Sequence, residues 1–127
     1  MTTPDPTQAY RRAAIENAPP LKLVQLLYQG ALRFLGEARA AHETGDLPYF
    51  TSRIGKVQAI VSELRSSLDL AQNRSLCEQL DALYTFVQVT LTEATVECSP
   101  ERLGEVEEVL RTLLEAWREL DVQSGAA

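Results

Sequence analysis

The chain has 127 residues, 45% of them hydrophobic and 24% charged, which is enough for one compact domain with a buried core and leaves no room for a second. A net charge of -6 works against binding to nucleic acid or to an anionic membrane surface. Two cysteines and a single histidine are too few for a disulfide framework or a structural zinc site, and no stretch is apolar for the roughly 18 residues a membrane span needs.

Residues 1–16 read as an arm or lid set apart from the rest. Met1 to Gln8 is polar and broken by Pro4 and Pro6, whereas Ala9 to Glu16 can form a short helical segment with Tyr10, Ala13 and Ala14 on one side. Two turns are not stable alone, so this segment must dock or fray. The N-terminus has neither a basic region nor an apolar one, so no secretion signal is expected and the cytoplasm is the expected compartment.

From Leu21 to Ala38 the apolar residues Leu23, Val24, Leu26, Leu27, Tyr28, Ala31, Leu32, Phe34 and Leu35 cover more than half the circumference of a helix, which predicts a central element with several neighbours. Gly45 supplies the left-handed residue that closes it, and Asp46 can cap the next helix. There Leu47, Phe50, Ile54, Val57, Val61, Leu64 and Leu68 step by three and four, a spacing that no strand produces. Ser75 with Glu78 reads as a capping box for a third helix with the stripe Leu76, Leu80, Leu83, Val87, Leu91 and Ala94. Ser99 before Pro100 predicts the start of a fourth, whose stripe is Leu103, Val106, Leu110, Leu113, Trp117 and Leu120. The expectation is an all-α fold: an antiparallel up-down four-helix bundle over residues 17–122, followed by a disordered tail at 123–127.

Catalytic and metal chemistry find little footing. His42 lies near a helix end, where a capping or surface role is the simpler reading and a phosphorylatable side chain the sharper one. The predicted core stripes hold no carboxylate or imidazole for a di-metal site, and no glycine-rich loop is present to cradle phosphate. Cys77 is expected to pack rather than react, although a helix N-terminus favours its thiolate somewhat. No cofactor is expected. What remains is surplus apolar surface: Ile60 and Leu70 lie off the stripe of the second helix, and Cys77, Tyr84 and Phe86 off that of the third. A shared apolar face between these helices would suit an amphipathic partner segment, the N-terminal arm or a second subunit.

The stretch from Ile15 to Leu35, IENAPPLKLVQLLYQGALRFL, closely resembles the opening of the flagellar secretion chaperone FliS family, whose first long helix follows a Thr-Ala-Ser-Pro turn and runs into Leu-Tyr-Asp-Gly. Ser67 to Asp69 resembles the family's end of the second long helix. Leu80 to Phe86, LDALYTF, resembles its Leu-x-x-Leu-Tyr-x-Tyr element, and Leu103 to Trp117 its closing helix. Pro19 stands in place of the usual capping Ser, and Phe86 in place of a Tyr. The resemblance implies a non-enzymatic chaperone that binds the disordered C-terminal segment of flagellin, prevents premature polymerisation and aids type III export. Export-gate components and flagellar regulators are further partner classes it leaves open. A phosphotransfer-type signalling bundle using His42, or a structural homo-oligomer, is the alternative.

The partner-binding residues expected from these readings are Tyr10 and Ile15 on the arm, as anchors over the apolar face, with Val57, Ile60, Leu64, Leu80, Leu83, Tyr84 and Val87 on the face itself. Ile60 and Tyr84 are expected to touch the partner, while Val57, Leu64, Leu80, Leu83 and Val87 form the floor.

Overall fold

A computed structural model describes residues 21–68 and 73–123. Among them the chain forms four α-helices and no strand: α1 (Leu21–Glu43), α2 (Leu47–Ser66), α3 (Arg74–Glu97) and α4 (Arg102–Gln123). The arm with Tyr10 and Ile15, the apolar Leu70 and the tail beyond residue 123 lie outside the described residues.

The joints follow from backbone hydrogen bonding. Gly45 takes φ +79°, a conformation that a side chain would strain. This lets its N–H donate to the His42 carbonyl at 3.1 Å and the Asp46 N–H donate to the Ala41 carbonyl at 2.9 Å, so the last carbonyls of α1 find donors. The Asp46 carboxylate then accepts the Tyr49 N–H at 3.1 Å, and Pro48 sits in the first turn of α2, where its missing N–H has no intrahelical role.

Two predicted starts are corrected. The cap of α3 is Asn73, whose side-chain oxygen accepts the Leu76 N–H at 3.1 Å; the helix therefore begins at Arg74 and the Ser75–Glu78 box does not form its entry. Asn caps as well as Ser, and its use here starts the helix two residues earlier. Ser99 does not cap α4 either. Its hydroxyl donates to the Glu101 carboxylate at 2.7 Å, and this bond is the main cause that lowers the Glu101 carboxyl below its ordinary range. Pro100 and Glu101 precede the helix in a tight turn, their carbonyls accepting from Leu103 and Gly104 at 3.1 Å each.

Each helix packs against two others, in the ring α1–α2–α3–α4–α1. Across α2 and α3, Gln58 pairs with Thr92, Ser62 with Gln88 and Arg65 with Asp81, so residue numbers rise on one helix as they fall on the other and the two run antiparallel. Helices α1 and α4 are antiparallel too, with Arg39 on Glu107 and Tyr28 beside Trp117. One core fills the interior, built on Leu27, Leu35, Phe50, Ile54, Leu91 and Leu110.

The stripes are rotated from those expected in two helices. In α3 the buried series is Cys77, Leu80, Tyr84, Val87, Leu91 and Ala94, so Tyr84 takes the interior and Leu83 the edge. Its hydroxyl decides the matter, because it lies 2.5 Å from the hydroxyl of Tyr28 across the core, and each phenol gives the other a polar partner away from water. In α4 the interior residue after Leu110 is Leu114, and Leu113 is only partly buried. Leu47, Leu76 and Leu120, at or near helix ends, are exposed.

Candidate functional site

The α2–α3 face expected to bind a partner is closed. Val57, Leu64, Leu80 and Val87 are buried as a floor would be, but Ile60 and Tyr84, expected to project from it, are each only 1% exposed and belong to the same core. Both off-stripe positions turn inward because each helix faces two neighbours, which widens its buried arc. The outer edge of this seam is polar. Gln88 donates to the Gln58 carbonyl at 3.0 Å and to the Ser62 hydroxyl at 3.1 Å, and Arg65 binds Asp81 at 2.5 Å. Among the described residues, a recess of about 290 Å³ between these helices is lined by Arg65, Glu78 and Asp81 with Leu68, so charged side chains border it.

The open apolar surface lies one seam further round, between α3 and α4. A groove section of about 370 Å³ is lined by Leu83, Phe86, Val109 and Leu113, with Thr112 and the carboxylates Glu105 and Glu108 beside them. A second section of about 260 Å³ continues past the shared Leu113 to Leu76, Leu80, Trp117 and Leu120, with Glu119 at its border. Phe86 is 44% exposed, a large cost for an aromatic ring unless something covers it. Of the residues expected from sequence, the groove includes Leu80 and Leu83. It adds Phe86, Val109, Leu113, Trp117 and the exposed Leu76 and Leu120. The neighbouring Leu113 and Leu114 carried the missed signal, since adjacent helical positions are 100° apart and both cannot point at the core.

Beneath the groove is the Tyr28–Tyr84 pair. Burial pushes the Tyr28 phenol above its ordinary value, against the opposing influence of the Tyr84 hydroxyl and of the Trp117 indole. The indole N–H is buried and close to Tyr28, yet makes no hydrogen bond of good geometry. Trp117 thus joins the groove floor to the central polar pair. His42 lines neither groove section. One ring nitrogen is 3.1 Å from the Cys98 carbonyl and the ring meets Phe50 edge-on at 5.3 Å, so it ties the end of α1 to the α3–α4 turn. That turn is tight, with Cys98 in the left-handed region at φ 51°.

The family described as "Flagellar protein FliS" matches residues 3–124, a span that includes all four helices and both walls of the groove. The chain belongs to the FliS family. It is 32% identical over 117 residues to the flagellar secretion chaperone FliS of Vibrio cholerae, covering 89% of this chain and 86% of that one. With the flagellar secretion chaperone FliS of Campylobacter jejuni it shares 36% identity over 109 residues, 86% of this chain and 84% of the relative. The flagellar secretion chaperone FliSB of Pseudomonas aeruginosa is 35% identical over 105 residues, 83% of each. All three relatives are named as flagellar secretion chaperones. None of the helices described is long and apolar enough to cross a membrane.

Proposed function

We propose that this chain is a cytoplasmic export chaperone that holds the C-terminal segment of newly made flagellin in the α3–α4 groove, prevents its premature polymerisation and aids its delivery to the type III export apparatus. The observation that carries the reading is the open apolar groove, with Phe86 half-exposed in its first section, in a member of a flagellar secretion chaperone family. A disordered segment that folds on binding covers a large surface but spends part of its interaction energy on ordering, which suits a hold that must be released before secretion. In this reading residues 1–16 are an arm anchored by Tyr10 and Ile15 that shields apolar surface when no client is bound, and residues 17–122 are the bundle. Export-gate components and flagellar regulators are candidate further partners.

The sharp test is Phe86→Asp, which puts a charge in the groove at an exposed position and spares the core. Loss of this aromatic contact is expected to weaken binding of full-length flagellin by at least about tenfold. Flagellin lacking its C-terminal segment is expected not to bind at all. Calorimetric titration of both flagellins into both proteins decides. Binding that survives the truncation, or a folded Phe86→Asp protein that binds as tightly as the parent, places the client elsewhere. Ile60→Glu cannot serve this purpose, since Ile60 is a core residue.

A further inference from the structure

Most carboxylates of α3 and α4 away from the groove are held by arginines, whereas those along it are not. On α4, Glu107 is bound by Arg39 and Arg111, and Glu115 by Arg118. On α3, Glu93 and Glu97 share Arg102, and Asp81 holds Arg65. Glu105, Glu108 and Glu119, the three that border the groove, have neither an ion pair nor a hydrogen bond among the described residues. Arg102 lies close enough for Glu105 to influence it, but its guanidinium is committed to Glu97 and Glu93. No cation lines either groove section.

Their spacing has a direction. Glu105 and Glu108 are one turn apart at one end of the groove, and Glu119 is eleven residues further on, about 16 Å along the helix at 1.5 Å per residue. Between these ends the lining is apolar apart from the Thr112 hydroxyl. An extended peptide laid there would leave its backbone N–H and C=O groups facing hydrocarbon, whereas a helix satisfies them internally. We infer that the groove selects a helical client segment whose apolar face is bordered at both ends by Lys or Arg, about eleven residues apart, that pair with Glu105 or Glu108 and with Glu119. This rests on the reading of the groove as the client site and adds the chemistry of what it accepts. Rim pairs of this kind set register and reject wrong partners more than they raise affinity.

Trp117 is the only tryptophan in the chain and lines the groove, so its fluorescence reports occupancy. The probes are three synthetic amphipathic 18-residue helices without tryptophan, identical except that two positions eleven apart at the border of the apolar face carry Lys, Gln or Glu. The Lys peptide is expected to bind about tenfold more tightly than the Glu peptide at low salt, with Gln between them, and the difference is expected to shrink near 1 M salt. The double variant Glu108→Lys, Glu119→Lys, which alters two exposed side chains, should reverse the order. Equal binding of all three peptides overturns the charge rule and leaves the groove reading intact. If no peptide binds while Phe86→Asp still abolishes flagellin binding, the client is not helical there and the inference falls alone. If no peptide binds and Phe86→Asp is silent, the groove reading falls and takes the inference with it.

Discussion

Tyr28 and Tyr84 place two hydrogen-bonded phenols in a largely apolar core, and the titration of Tyr28 gives the molecule a pH-dependent stability. Burial raises the pKa of Tyr28 in the folded state. Below about pH 10 the phenol is protonated whether the chain is folded or not, and the stability is complete. As the pH rises past that value the unfolded chain releases its proton while the folded one retains it, so stability falls until the folded value is passed as well. Tyr28→Phe removes this slope, along with the hydrogen bond to Tyr84, worth roughly 1 kcal/mol at neutral pH. Urea denaturation at a series of pH values is expected to show the variant less stable near neutrality and the two curves converging above about pH 10. Parallel curves over that range would mean that Tyr28 is not the titrating group. The hydroxyl's importance was hard to read from sequence, since nothing in a helical stripe announces that residues 28 and 84 meet across a bundle.

At the scale of elements, the apolar periodicity made all four helices legible, and in α2 it gave the core positions from Phe50 to Leu64 with Ile60 as the addition. In α3 it could not fix the rotation. Apolar residues at 76, 77, 80, 83, 84, 86 and 87 fit two progressions of three and four equally well, and only the Tyr28 partner chooses the one through Tyr84. The apolar groove lies one seam round from the face expected for the same reason: a modest rotation of α3 turns Leu83 and Phe86 from the α2 side to the α4 side. The cap of α3 gives a direct check. Asn73→Ala should cost about 1 kcal/mol by leaving the Leu76 N–H without its acceptor, whereas Ser75→Ala should stay within about 0.5 kcal/mol. Thermal unfolding of the two variants measures the contrast, and equal losses would restore the entry at Ser75.

The whole molecule is a ring of four helices around one core, so a charge placed anywhere inside it is a global event. Ile60→Glu puts a carboxylate among Val57, Val61, Leu64 and the α3 side chains with no cation in reach from the core. A destabilisation above about 4 kcal/mol is expected, because the group must either stay buried and protonated or break the packing open. Loss of a cooperative melting transition in circular dichroism is the readout, and a stable variant that melts like the parent would show Ile60 to be on the surface. The same architecture explains why function was legible only in class. Composition and charge excluded nucleic acid and metal chemistry as leading ideas, and family resemblance supplied a chaperone, but which seam stays open depends on side chains from helices far apart in sequence.

Asp46 serves two helices at once, its N–H closing α1 and its carboxylate opening α2. The α1–α2 seam it anchors is also the most extensive of the four, while the seam beside the groove is among the least. Contacts that close over a three-residue turn cost little chain entropy, so this hairpin should form early in refolding and be the last to open in the native state. Amide hydrogen exchange is expected to show α1 and α2 exchanging only through global unfolding, and the α4 amides along the groove through smaller openings of lower free energy. Uniform protection across the four helices would contradict that order. A wall that loosens before the rest can accept and release a client without the hairpin that supports it ever coming apart.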